Sequence, residues 1–163
     1  MEVQILKASM ENKQIISNLM QFYMYDFSEY TGADVEDSGL FAAYPQLEEY
    51  WREEDQRFPY IIRSGERHIG FVFVRRIETP ERRYFSIAEF FIMRKYRRKG
   101  LGRRIAKAIF DMHSGQWEVY QMETNTPAQI FWKEIIAEYT NGHFIEKTEN
   151  KRTIQQFENH SFN

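Results

Sequence analysis

Apolar residues recur along this chain at two spacings, and the changes between them mark the elements. Val3 to Ala8 alternates weakly and predicts a first strand. Ile16, Leu19, Met20, Tyr23 and Phe27 then fall on one face of a helix that fades near Thr31-Gly32. Of Phe22, Tyr23, Tyr25 and Phe27, those on the inner face are expected in the core and the others beside a substrate pocket. Ala33 to Tyr44 is polar and acidic and reads as loop, with Pro45 opening a short helix through Trp51. Phe58–Ile62 and His68–Ile77 predict strands around Ser64-Gly65. The stretch Ile69–Val74 is apolar on both faces, the pattern of a central strand. A turn at Thr79-Pro80-Glu81 leads into Tyr84–Met93, so these three strands form an antiparallel meander.

Helical spacing returns at Leu101, Ile105, Ala108, Ile109 and Met112, with Arg103, Arg104 and Lys107 opposite and Ser114-Gly115 as the stop. Trp117–Glu123 alternates as a strand. Thr126-Pro127 opens a helix that runs to about Tyr139 and ends at Asn141-Gly142. His143–Lys147 and Arg152–Phe157 are two final strands around Glu149-Asn150. The expected order is β-α-(α)-β-β-β-α-β-α-β-β, an α+β arrangement in one domain spanning residues 1–163, without repeats or linkers.

Composition narrows the picture. Hydrophobic residues make up 42% and aromatics 17%, which argues against disorder. Cysteine is absent, so disulfides, thiol catalysis and Cys-based zinc sites are excluded, and a cytoplasmic location fits. The start, M-E-V-Q-I-L-K, has no signal-peptide pattern, and no apolar run reaches a membrane span, so no membrane partner is expected. His68, His113, His143 and His160 lack ligand spacing, so no metal is expected. The net charge of −2 hides two opposed segments. Arg94, Lys95, Arg97, Arg98, Lys99, Arg103, Arg104 and Lys107 follow one another without an acid between them. Asp26, Glu29, Asp34, Glu36, Asp37, Glu48 and Glu49 lie in a stretch without Lys or Arg. The basic run has no aromatic platform and no helix-turn-helix spacing, which argues against nucleic acid as the partner.

The basic run contains the candidate chemistry. A strand ending in Phe90-Phe91-Ile92-Met93 leads into Arg97-Arg98-Lys99-Gly100-Leu101-Gly102 and directly into a helix. The first amides of a helix lack internal partners and sit at the positive end of the macrodipole, so this turn suits a pyrophosphate. It is not G-x-x-x-x-G-K-[ST], which excludes a P-loop. Ile105 stands where a dinucleotide-binding turn needs its third glycine.

R-x-x-G-x-G between a strand and a helix resembles the acetyl-CoA motif of the GNAT superfamily of N-acetyltransferases. Asn125-Thr126-Pro127-Ala128-Gln129-Ile130-Phe131-Trp132 resembles that family's N-x-x-A-x-x-apolar-Tyr segment. The resemblance implies a GNAT-like fold of α/β/α layers. Its central sheet would be mixed, mostly antiparallel, with about seven strands and a V-shaped split between the strands flanking the turn. It also implies acetyl-CoA as co-substrate. Main-chain groups of Phe91, Ile92 and Met93 would pair with pantetheine. Arg97, Arg98, Lys99, Gly100, Leu101, Gly102 and Arg103 would hold the pyrophosphate, and Asn125 would contact the pantetheine end.

Trp132 stands where the family usually has a tyrosine that protonates the leaving thiolate, and an indole N–H is no general acid near neutral pH. Three readings are open: the thiolate leaves unprotonated, another residue or water serves, or the chain binds CoA or acyl-CoA as a sensor. Tyr139 is too far along the helix to substitute directly. Glu89 is the first candidate base for the incoming ammonium and Glu123 the second. The competing role for either is an edge-of-sheet carboxylate paired with an arginine such as Arg76 or Arg83. The expected reaction is direct acetyl transfer to a small-molecule or peptide amine, with the acidic stretch favouring a cationic one. A homodimer is left open.

Overall fold

In a computed structural model of the chain, which describes residues 2–159, the predicted pattern resolves into seven strands and four helices. They are β1 (Gln4–Lys7), α1 (Lys13–Thr31), α2 (Glu49–Arg52), β2 (Arg57–Ser64), β3 (Arg67–Glu78), β4 (Arg83–Ile92), α3 (Leu101–Met112), β5 (Gly115–Met122), α4 (Thr126–Thr140), β6 (Ile145–Glu149) and β7 (Arg152–Asn159). The sheet is mostly antiparallel, in the order β1-β2-β3-β4-β5-β7-β6. β4 and β5, joined through α3, pair in parallel at Phe85 and Trp117. His160 lies outside the described residues. Among those described, no helix is long and apolar enough to cross a membrane.

The chain divides into two compact units. One comprises residues up to Val74 together with Ala88–Tyr96, and the other comprises Arg75–Ile87 with the chain from Arg97 onward. In the first unit, α1 buries Ile16, Leu19 and Met20 against Tyr50, Ile61, Phe71, Phe73 and Phe91. Gly32, left-handed at φ 74°, ends α1 and donates its N–H to the Ser28 carbonyl at 2.8 Å. The aromatics of α1 divide by face as the spacing predicts: Tyr23 packs against this core, while Phe22 and Tyr25 are 56% and 66% exposed. The helix expected from Pro45 is also shorter. Residues 45–48 form turns, and α2 begins at Glu49.

In the second unit, Ile105, Ile109 and Phe110 of α3, Trp117 and Val119 of β5, Ile135 and Ile136 of α4, and Phe157 of β7 are all buried. Phe110 makes edge contacts with Trp117 and Phe157 at centroid distances of 4.9 and 5.0 Å. β6 starts two residues later than His143, because His143 and Phe144 are held in turn hydrogen bonds to Thr140 and Gly142. Asn150 and Lys151, at φ 53° and 62°, form the two-residue turn that sets Glu149 opposite Arg152.

In the first unit, Gly70 on β3 explains itself by crowding rather than by conformation. A Cβ there would collide with the Phe91 carbonyl oxygen and lie 3.1 Å from the Ile92 Cα, both main-chain atoms of β4. Gly70→Ala is therefore expected to lower stability by about 1–3 kcal/mol, the usual cost of overpacking a filled interior. Denaturant unfolding checks it.

Candidate active site

β4 carries the first group of site residues. Glu89 points into the first unit, partly buried, and both carboxylate oxygens are occupied. Oε2 accepts a hydrogen bond from the Tyr23 hydroxyl on α1, and Oε1 accepts one from the Tyr44 hydroxyl at 3.2 Å. The arginine pairing expected as the competing role is absent from these contacts. Arg76 and Arg83 lie instead against Glu78, at 3.5 and 3.3 Å. Burial holds the Glu89 pKa above the ordinary carboxylate value, opposed by the two phenol hydrogen bonds, which favour the ion. Burial first, and then the charge of Glu89, raises the pKa of both phenols, so both remain donors at neutral pH.

Downstream on the same strand, the sequence expectation narrows. The Met93 N–H donates to the Ile69 carbonyl at 2.8 Å, and the Met93 carbonyl accepts from the Tyr96 N–H at 2.9 Å. Both main-chain groups of Met93 are thus engaged within the first unit. Arg94 pairs with Asp26 of α1 at 2.8 Å.

The glycine turn opens the second unit. Arg98 and Gly100 are left-handed, at φ 64° and 73°, and Gly100 is the N-cap of α3. Nothing lies within 4 Å of where a Gly100 Cβ would stand, so the backbone angle calls for glycine here. The first helical bond that closes on the N-cap runs from the Arg104 N–H to the Gly100 carbonyl, at 3.2 Å. The amides of Leu101, Gly102 and Arg103 precede it and have no carbonyl one helical turn back. With glycine at the cap, no N-cap side chain covers them. Uncapped helix amides of this kind suit an anion, and Arg97, Arg98 and Lys99 directly precede them in the sequence.

The Arg103 side chain is committed elsewhere. Its guanidinium donates to Glu138 of α4 at 2.6 Å, and Lys107 reaches the same carboxylate at 2.7 Å. The basic run is therefore not one uncompensated face, because α4 supplies acids that neutralise its second half.

Asn125 is buried as the N-cap of α4, its side-chain oxygen accepting from the Ala128 N–H at 3.2 Å, which leaves its amide nitrogen as a donor. Trp132 is 7% exposed, with Phe131 and Phe110 at 5.0 and 6.3 Å. Tyr139 donates to Asp111 at 2.7 Å and accepts from Asn159 at 3.1 Å, and burial pushes its pKa up to about 12. It serves this structural network. Glu123 is exposed, with its main chain tied to Lys151 and Gln129. The desolvation that would tune a base acts on Glu89.

The structure thus joins Tyr23 and Tyr44 to Glu89, partners that spacing along the chain does not reveal. Tyr23 had one sequence signal, its place on the inner face of α1. Among the described residues, no group of three or more His, Asp or Glu could hold a metal ion.

Comparison with known proteins agrees with this architecture. The model of the Acetyltransferase (GNAT) family matches residues 15–136, a span that draws on both units. The chain belongs to this family, and its activity class is that of an N-acetyltransferase. Among solved structures, an acetyltransferase from Thermus thermophilus is similar at TM-score 0.68 and 12% identity, with 97% of each chain covered. PaiA N-acetyltransferase from Thermoplasma acidophilum, solved with coenzyme A, is similar at TM-score 0.59 and 14% identity, covering 97% of this chain and 99% of that one. NAA60 of Arabidopsis thaliana, solved with a bisubstrate analogue, is similar at TM-score 0.65 and 11% identity, covering 96% and 98%. At these identities the likeness is one of fold. A search of curated proteins by sequence finds no match.

Because folding raises the Glu89 pKa, the native state binds this proton more tightly than the unfolded chain does. The resulting stability is present below the ordinary glutamate value and is lost as pH rises through the raised one. Glu89→Gln removes that dependence. The variant's melting temperature relative to the wild type is expected to climb as pH rises above the ordinary glutamate value of about 4.3, measured by thermal unfolding.

Proposed function

We propose that this protein transfers an acetyl group from acetyl-CoA to a small cationic primary amine by direct attack, with Glu89 as the base. The observation that carries the reading is a carboxylate withdrawn from water and held by two phenols, on the strand leading into an anion-binding turn. The cradle at the start of α3 fits a pyrophosphate, through the amides of Leu101, Gly102 and Arg103 and the cations Arg97, Arg98 and Lys99. In the first unit, Phe91 and Ile92 are the main-chain candidates for pantetheine, with Met93 engaged by Ile69 and Tyr96. In the second, the free amide nitrogen of Asn125 is the side-chain candidate. Acetyl-CoA supplies an activated thioester.

Glu89 takes a proton from the acceptor's ammonium, which frees the nitrogen lone pair for attack. A carboxylate with a raised pKa matches this task better than an exposed one. Without cysteine, no acyl group is carried on a thiol of this chain. The thiolate needs no buried acid, since a thiol of pKa about 8.5 is a fair leaving group. Asp34, Glu36 and Asp37 are exposed on the loop that carries Tyr44, where negative charge favours a cationic acceptor.

One observation favours a second reading, a CoA or acyl-CoA sensor. Trp132, at the position of the family's tyrosine, is packed into the core of the second unit. Thermal shift with acetyl-CoA, followed by thiol release against a panel of amines, decides between them. A transferase is stabilised by the cofactor and releases thiol with at least one amine. An inert chain that gains activity as Trp132→Tyr is a sensor. Absence of stabilisation by any CoA compound would remove both readings. Within the transferase reading, reversing the charges of Asp34, Glu36 and Asp37 is expected to raise the acceptor's KM several-fold and leave acetyl-CoA affinity unchanged; steady-state kinetics checks it.

A further inference from the structure

Glu89 has two oxygens and two unlike partners. The Tyr23 hydroxyl on Oε2 comes from the middle of α1, and its ring lies 5.0, 5.7 and 5.8 Å from Phe27, Phe71 and Phe91. The Tyr44 hydroxyl reaches Oε1 at 3.2 Å, long for an O–H···O bond, whose usual separation is about 2.7–2.8 Å. Its ring touches Phe73 and Tyr50, at 5.8 and 6.4 Å. Tyr44 sits on the loop between α1 and α2, which is tied to α1 by a pair of hydrogen bonds at Phe41. Gln21 Nε2 donates to the Phe41 carbonyl at 3.0 Å, and the Phe41 N–H donates to Gln21 Oε1 at 2.9 Å. One hydroxyl is thus set in a regular helix, while the other comes from a loop that is held at separate points, to α1 through Phe41 and Glu48 and to Arg57 through Gln46.

We infer that Tyr23 is a positioning residue that fixes Glu89 through Oε2, while Tyr44 shields Oε1, the oxygen that receives the acceptor's proton. This rests on the acetyltransferase reading above. In the step, an ammonium N–H bond breaks, an O–H bond forms at Oε1, and the electron pair stays on nitrogen. Tyr23 still donates to Oε2 after that transfer, so the carboxyl group keeps its orientation through the cycle. The incoming ammonium replaces the long Tyr44 bond and leaves the Tyr23 bond intact.

The surroundings suit this division. The groups acting on Glu89 are the phenols of Tyr23 from α1 and Tyr44 from the loop, and Tyr50 of α2 acts on Tyr44 in turn. The nearest cation along the chain, Arg94, is paired with Asp26. A guanidinium on Glu89 would hold it as a permanent ion and repel an ammonium. Phenols orient the carboxylate and do neither.

The test is carboxyl-carbon NMR on the full chain with isotope-labelled glutamate, in the absence of acyl donor and amine. Glu89→Gln identifies the Glu89 signal, which is then titrated in the wild type, Tyr23→Phe and Tyr44→Phe. Each variant keeps its ring and packing. Loss of a hydrogen bond to the charged form moves the midpoint upward, by about one pH unit in Tyr23→Phe and by less in Tyr44→Phe. An unmoved midpoint in Tyr23→Phe, or a larger shift in Tyr44→Phe, overturns the division of roles. Should Tyr23→Phe fail to fold, an unmoved midpoint in Tyr44→Phe overturns the shielding of Oε1. The titration needs no acetyl transfer, so its failure is distinct from that of the enzyme reading. The expected shifts in a chain that releases no thiol would overturn the catalytic role of the pair.

Discussion

The missing side chain at residue 70 sets how closely β4 approaches β3 in the first unit. The Phe91 carbonyl occupies the space that a Cβ would need, and the Met93 amide closes on Ile69 just beyond it. Everything β4 offers depends on that approach. Glu89 lies two residues before Phe91 on the same strand, so the register that seats Phe91 in the core also places Glu89 beside Tyr23 and Tyr44. A buried backbone contact with no chemistry of its own therefore fixes where the Glu89 carboxylate sits.

Glu89 and the glycine turn solve opposite electrostatic problems. At Glu89 the protein withdraws a carboxylate from water and supplies only neutral donors, which keeps the charged form within reach of a proton. At the start of α3 it leaves helix amides without a side-chain cap, directly after a basic run in the sequence, an arrangement that suits a permanent anion. His113 shows what burial does to an imidazole. Packed 4.9 Å from the Phe85 ring, its imidazole pKa is lowered to about 4 by desolvation, and it stays neutral as part of the core.

Much of this was legible in the sequence, for local reasons. The α1 face, the strand pattern of β3 and the strand–turn–helix around Gly100 are each written within about a dozen residues, where spacing reports burial directly. What was not legible joins distant positions. Tyr23 and Tyr44 stand 66 and 45 residues from Glu89, and Arg103 meets an acid 35 residues on. Spacing along one element shows that Tyr23 faces inward but not what it meets there. The turn at Pro45 and the late start of β6 misled for another reason. Their residue types suit a helix start and a strand, but turn hydrogen bonds hold the chain otherwise.

The commitment of Arg103 and Lys107 to Glu138 bears on how an anion is held at the start of α3. Both cations are already paired within the protein, so in the proposed reading the helix amides would carry more of the hold. Ionic strength weakens attraction between exposed, mobile charges but acts less on dipoles fixed in a backbone at short range. In the reading proposed above, a phosphate-bearing ligand at this turn would rely less on Arg103 and Lys107 than on the main chain and on Arg97, Arg98 and Lys99.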